Sequence, residues 1–250
     1  MENKKLRLYC FPFAGGSAVI FNDLRRYLYD YVEVVPVEYA GRGKRFREAK
    51  YATISDAVDD LYNLMKPELP KVPYAILGYS FGALIIYEII KRLMQEEDPL
   101  PLHAFFMACH APHNRYGDFN FHELSDDKLT EVIRQLGGIS NEVINHDELL
   151  KIFIPIIKND FKLYEQYDKN QDKVRLPLNI TVVNAKYDKL ISEEKTLEWM
   201  DYAKMKCRIR FVESDHYFIT DKTGEIASII KEDIEPVHGN YSGKIQSYGT

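Results

Sequence analysis

Tyr74-Ala-Ile-Leu-Gly-Tyr-Ser-Phe-Gly-Ala83 is the stretch whose reading decides the fold. A short apolar run ends in Gly78-x-Ser80-x-Gly82 and passes directly into Ala83-Leu-Ile-Ile-Tyr-Glu-Ile-Ile90, the pattern of a buried helix. Strand, tight turn and helix in that order are the context a nucleophile elbow requires. The turn is so sharp that the residues two before and two after the serine must be small, which gives both glycines a steric reason. Ser80 is then expected in strained backbone, its hydroxyl raised above the sheet. The N–H of Phe81, at the start of a helix, faces any oxyanion formed there. Without its flanking strand and helix, G-x-S-x-G would be a common chance match.

Working outward from the elbow, short apolar runs alternate with helical patterns, which argues for a mostly parallel sheet flanked by helices. Leu6–Phe11 reads as a strand, followed by a Gly-Gly loop and a helix over residues 20–29. Residues 32–37 form a second strand, ending near Gly41-Arg-Gly43, and Ile54–Met65 is helical with Ser55 and Asp56 near its start. Further strands are expected at 104–109, 179–184 and 208–212, and a closing helix at 225–234. Between residues 113 and 168 the rhythm breaks into helical patterns at Asp126–Leu136, 148–157 and 160–167. An insertion at the strand C-termini is naturally a lid, with plain packing helices as the alternative. The expected organisation is one domain over 1–236, with 113–168 as helical insertion and 237–250 as a polar, loosely ordered tail.

The chain's 250 residues support a substantial core, and 46% apolar with 28% charged residues is ordinary for a globular protein. A net charge of −5 without a basic stripe argues against nucleic acid. Cys10, Cys109 and Cys207 lie far apart, which fits neither a disulfide framework nor a zinc site and suits a reducing compartment. The N-terminal region lacks a signal-peptide pattern, and no run is long enough to span a bilayer. A cytoplasmic, soluble chain acting as a monomer is expected.

A serine hydroxyl needs a base to take its proton and a third group to orient that base. In elbow-bearing folds the partners follow in the order serine, acid, histidine. His216 sits on the short loop after the strand at 208–212, where a base belongs. His238 falls in the polar tail, His103 and His146 read as surface residues, and His110 and His113 stand near the mouth of a site. For the acid, Asp188 follows the strand at 179–184, twenty-eight residues before His216. Asp215 and Asp160 are the alternatives, although Asp215 is adjacent to the histidine and neighbours on an extended loop point apart. The oxyanion hole requires two converging N–H donors. Phe81 supplies one, and the loop Phe11-Pro-Phe-Ala-Gly-Gly-Ser17 the other, through Ala14 with Phe13 as rival. Gly41-Arg-Gly43 reads as a plain turn rather than an anion site.

These residues together resemble the type II thioesterases of nonribosomal peptide and polyketide synthesis, stand-alone α/β-hydrolases. The resemblance spans nearly all of residues 6–220. Cys10-Phe-Pro-Phe-Ala-Gly-Gly-Ser-Ala18 is similar to the family's first loop, and Tyr39-Ala-Gly-Arg-Gly43 to its P-G-R-G turn, with Ala40 in place of proline. Gly78-Tyr-Ser-Phe-Gly-Ala-Leu84 resembles an elbow more often written G-H-S-M-G-A. Leu136-Gly-Gly138, Pro155-Ile-Ile-Lys-Asn-Asp-Phe161 and Glu165-Gln-Tyr167 resemble the insertion's signatures, and Asp215-His-Tyr-Phe218 resembles G-H-F-F. Asp188 falls where the family has its acid.

The resemblance implies a hydrolase that clears acyl or aminoacyl groups from the phosphopantetheine arm of carrier proteins, with Ser80, Asp188 and His216 as its triad. It implies no metal and no cofactor of the chain's own, because the pantetheine belongs to the partner. A product-releasing thioesterase or small-molecule esterase of the same fold is the first alternative, and a non-catalytic interaction module the second.

Overall fold

The computed structural model describes residues 6–113, 120–136, 146–167 and 172–246. Six strands form one sheet: β1 (Leu6–Phe11), β2 (Val32–Pro36), β3 (Tyr74–Tyr79), β4 (His103–Met107), β5 (Asn179–Ala185) and β6 (Cys207–Val212). Every pairing is parallel, in the spatial order β2-β1-β3-β4-β5-β6. A parallel sheet carries helices on both faces, so its strands read as continuous apolar runs rather than as alternating ones. Successive side chains of β1 show why. Leu8 and Cys10 enter one apolar core while Tyr9 and Phe11 enter the other.

On the first face lie α1 (Asn22–Leu28) and the closing helix α8 (Thr223–Gln246), with α7 (Phe218–Asp221) leading into it. The second face is covered by α2 (Ile54–Met65) and α3 (Phe81–Gln95). Thr53 starts α2 with a reciprocal cap: its hydroxyl accepts from Asp56 N at 3.1 Å, and Thr53 N donates to the Asp56 carboxylate at 2.9 Å. Between β4 and β5 come α4 (Asp126–Leu136) and α5 (Asp147–Gln166), and α6 (Glu193–Leu197) follows β5.

The expected mostly parallel architecture is present, and four details differ. The helix expected at 20–29 opens as a 3-10 turn over Ala18–Phe21 before α1 begins. The two helices expected at 148–157 and 160–167 are one, α5, running through Pro155. Its polar Lys158-Asn159 pair does not break it, because Asn159 turns inward and donates to Tyr51 O at 3.1 Å. The closing helix continues past residue 234 to Gln246, so residues 237–246 of the expected tail are helical in backbone. Its polar, Gly- and Ser-containing composition is what hid the continuation. His103, read as a surface residue, is buried at the start of β4, its Nε2 2.9 Å from Thr181 Oγ1 and its ring stacked on Phe105. Gly137, Gly138 and Asp168 lie outside the described residues. Among the described residues no helix is long and apolar enough to cross a membrane.

The insertion divides in two. Leu163 and Tyr164 of the second half of α5, with Tyr167 just past its end, join the main core. Ile154 and Ile157 instead form a separate apolar cluster with Phe121, Leu129 and Ile133.

Where β3 turns into α3, helix and sheet touch through backbone. A Cβ on Gly82 would lie 2.3 Å from Phe11 O, and one on Gly78 would lie 2.3 Å from Gly82 O. Gly82→Ala is therefore expected to lower the melting temperature sharply or to prevent folding, since backbone has nowhere to yield. Gly224→Ala is the control. Its Cβ would meet only the Tyr27 ring at 3.4 Å, within the first turn of α8, and should be neutral or stabilising by up to about 1 kcal/mol. Thermal unfolding of both variants measures the contrast.

Candidate active site

Ser80 stands between β3 and α3 with φ 53° and ψ −112°, a left-handed conformation rarely adopted by a residue with a side chain. Such backbone costs on the order of 1–3 kcal/mol and persists only where its surroundings enforce it. Here Ser80 N donates to Met107 O at 2.7 Å and Ala83 N donates to Ser80 O at 2.9 Å. Although Ser80 is the residue preceding the helix, its hydroxyl does not cap it. That oxygen instead lies 3.1 Å from His216 Nε2.

His216 is brought there by the loop after β6 and is buried. Its Nδ1 lies 2.7 Å from Asp188 Oδ2. The carboxylate, on the loop after β5, has its side chain fully shielded. Its other oxygen accepts from Leu190 N at 2.8 Å and Ile191 N at 3.2 Å. Both oxygens being occupied, the acid is held in one orientation. It selects the tautomer in which His216 Nδ1–H donates to Asp188 and Nε2 accepts from Ser80. The other acids considered lie elsewhere. Asp215 is exposed and accepts from Tyr217 N at 3.2 Å, within its own loop. Asp160 is buried against Arg42, its oxygens 2.6 and 2.7 Å from the two guanidinium nitrogens.

Phe81 begins α3, so its N–H is one of those a helix leaves without an intrahelical acceptor. The loop after β1 lies alongside, touching the same helix turn at Phe11 and Pro12. On one side of Ala14 the loop is held by Tyr39, whose hydroxyl donates to Pro12 O at 2.9 Å. On the other, Gly15 N donates to Asp160 Oδ2 at 2.7 Å and Gly16 N to Phe13 O at 2.9 Å. Gly15 sits at φ +78°, which its lack of a Cβ permits.

Aromatic rings tie the three loops together. Phe13 meets Tyr79 and Tyr217 edge-on, with centroids 6.0 and 4.9 Å apart, and Tyr79 lies 5.1 Å from Phe218. Tyr79 is fully buried, and its hydroxyl donates to His216 O at 2.6 Å and accepts from Ile219 N at 3.3 Å. Desolvation holds its phenol well above the usual range, so it stays protonated and able to donate.

Of the remaining histidines, His113 has its Nδ1 2.6 Å from Tyr202 OH and stacks on that ring, and His110 is buried just past β4. His146 is exposed, and His122 pairs with Glu165. Desolvation raises the Cys10 and Cys109 thiols far above their ordinary range, which keeps both un-ionised. Among the described residues no group of three His, Cys, Asp or Glu side chains is disposed to hold a metal ion.

Tyr79, Tyr39, Arg42 and Asp160 hold the loops of the site, and no local sequence pattern marks them for it. Asn184, a buried amide within β5, joins the residues after β4 to α6. It accepts from Cys109 N at 2.9 Å, and its amide donates to Cys109 O at 3.1 Å and Thr196 Oγ1 at 2.7 Å. The partners of Arg42 and Asp160 are too distant in sequence for spacing to connect them.

The chain matches the thioesterase domain family over residues 6–234. It is 28% identical over 223 residues to the gramicidin S biosynthesis protein GrsT of Aneurinibacillus migulanus, covering 89% of this chain and 86% of that one. Among solved structures, ClbQ from the colibactin NRPS/PKS pathway superposes with a TM-score of 0.88 at 32% identity, over 93% of this chain and 98% of ClbQ. The RedJ thioesterase from the prodiginine biosynthetic pathway of Streptomyces coelicolor gives 0.86 at 30% identity, over 92% and 91% of the two chains.

Tyr79→Phe deletes one oxygen and leaves the buried His216 carbonyl and Ile219 N–H without their partner. It is expected to cost about 1–3 kcal/mol in stability and to lower turnover through a loosened His216 loop. Denaturant midpoints and kcat measured on the same preparation test both effects.

Proposed function

The chain belongs to the thioesterase domain family and is a hydrolase of thioesters. From that premise we propose that it removes acyl or aminoacyl groups from the phosphopantetheine arm of carrier proteins, editing misprimed nonribosomal peptide or polyketide synthetases. The observation that carries the chemistry is the line from Ser80 Oγ through His216 to Asp188, with contacts of 3.1 and 2.7 Å. The assignment to carrier-bound substrates rests on relatives named for the gramicidin S, colibactin and prodiginine pathways.

In this reading Ser80 Oγ attacks the thioester carbonyl carbon while His216 Nε2 takes the hydroxyl proton. Asp188 stabilises the imidazolium that results, and the Phe81 and Ala14 N–H groups hold the tetrahedral oxyanion. The intermediate collapses, the C–S bond breaks, and His216 returns the proton to the departing thiolate. A water molecule, deprotonated by the same nitrogen, then attacks the acyl-serine ester. A second collapse releases the acid and restores the Ser80 hydroxyl. The chain needs no metal or cofactor for these steps. The insertion acts as a lid, with α4 and the first half of α5 as the portion that covers the acyl group.

Ser80→Ala is expected to lower kcat by on the order of 10³-fold or more with the fold intact. Asp188→Asn, which favours the wrong tautomer, is expected to lower it by up to about 10⁴-fold, with Asp215→Asn near the parent. Hydrolysis rates with circular dichroism spectra check this, and parental activity in Ser80→Ala would reject the nucleophile.

A loaded carrier adds surface contacts remote from the reacting carbonyl, and such binding energy can lower the barrier. The same acyl group is therefore expected to show a kcat/KM at least about 10-fold higher on a cognate carrier than on coenzyme A or a small-alcohol ester. Side-by-side assays with matched acyl chains decide it. Equal or faster rates on the small esters would favour an esterase instead.

A further inference from the structure

The pair formed by Arg42 and Asp160 joins segments that are far apart in the chain and meets at the loop after β1. Both side chains are buried, and the contact is bidentate at 2.6 and 2.7 Å. Burial alone would lower the guanidinium's pKa, but the Asp160 charge and hydrogen bonds outweigh it and hold the group above its ordinary value. With its charge spent on Asp160 and almost no exposure, Arg42 is not open to a substrate anion.

Each member also grips the glycine loop. Asp160 Oδ2 accepts from Gly15 N at 2.7 Å, and the Arg42 guanidinium donates to Gly16 O at 3.1 Å. Packing reinforces this: a Cβ on Gly15 would lie 2.3 Å from Ile157 Cγ1, so α5 rests directly on that residue. The loop carrying Arg42 holds α5 at two further points, through Lys50 Nζ to Pro155 O at 3.0 Å and Asn159 to Tyr51 O at 3.1 Å.

We infer that Arg42 and Asp160 are positioning residues that set the backbone of the oxyanion loop, so that α5 of the insertion is a structural part of the oxyanion hole. The inference rests on the reading above in which the Ala14 N–H is an oxyanion donor. Ala14 is bracketed by the fixed points at Pro12, Gly15 and Gly16, and three of those contacts come from Tyr39, Asp160 and Arg42. A small shift of α5 moves the Gly15 acceptor, and the adjacent Ala14 N–H loses its aim. The ground-state thioester depends little on that aim, whereas the tetrahedral oxyanion depends on it strongly.

The test uses the full chain, an acyl coenzyme A thioester as substrate, and an acyl trifluoromethyl ketone whose serine adduct carries an oxyanion. Asp160→Asn keeps the side chain's shape, and Arg42→Lys keeps the charge but cannot fork to both carboxylate oxygens. Each is expected to lower kcat by about 10- to 100-fold, with KM within about twofold and ketone affinity falling in step with kcat/KM. Either single change can also destabilise the fold by disturbing a buried pair. The double variant Arg42→Met with Asp160→Leu leaves neither member of the pair as an uncompensated buried charge, so it is expected to melt above either single variant without recovering the parent's kcat. Parental kcat in the double variant, or losses confined to KM in the single ones, would overturn the inference. That result alongside an inactive Ser80→Ala leaves the hydrolase reading intact, whereas an active Ser80→Ala removes the reading underneath.

Discussion

The close approach of α3 to β1 and β3 is the constraint on which the rest of this molecule depends. Gly78 and Gly82 let one helix turn lie against strand backbone with no side chain between them. A β-carbon at either position would push the helix off the sheet and relax the turn. Ser80 would then leave its left-handed conformation and its oxygen would no longer stand above the strand ends. The same contact sets the start of α3 beside the Phe11–Pro12 backbone, so Ser80 and the glycine loop after β1 are placed by one packing event. Parallel pairing supplies the remainder, since it puts the C-terminal ends of β1, β3, β5 and β6 along one edge.

Much of this was legible in the chain. The strand starts follow from short apolar or β-branched runs, and the elbow from an apolar run that ends in Gly78 and Gly82, strands such as Tyr74–Tyr79 being buried on both faces. Ser80, His216 and Asp188 could be located by chain order and by their positions after predicted strands. The structure brings those three together and leaves Asp215 and Asp160 with other partners. What stayed hidden was long-range and polar. His103 reads as a surface residue because nothing nearby announces Thr181, which lies on a neighbouring strand. Tyr79 stands where the resembling family usually has histidine, and its hydroxyl reaches across 137 residues to the His216 carbonyl. Local patterns carry no trace of such distances.

The buried ion pair changes how the insertion is to be understood. A cover that merely rests on a site would meet it through apolar side chains alone, as the cluster of Phe121, Leu129, Ile133, Ile154 and Ile157 does within the insertion. The second half of α5 behaves differently. It sinks Leu163 and Tyr164 into the main core, with Tyr167 just past its end, and Asp160 is held by a bidentate, charge-assisted contact that is both strong and directional. Motion in the insertion is therefore easiest in α4 and the start of α5. Displacing the remainder would break the bidentate contact of a buried arginine.

Pro155 lies within α5 itself, upstream of Asp160 and of the residues that enter the main core, although the apolar cluster continues past it to Ile157. A proline inside a helix removes one backbone hydrogen bond and crowds the preceding turn, so this is where α5 bends most cheaply. The arrangement bears on how such a fold diversifies. Downstream of the proline, Ile157 and Asp160 must continue to match the glycine loop and Arg42. A transplanted insertion from a relative would keep that match only if its junction were cut near residue 155. A graft made at residues 113 and 168 would exchange the residues that hold the glycine loop along with the cover.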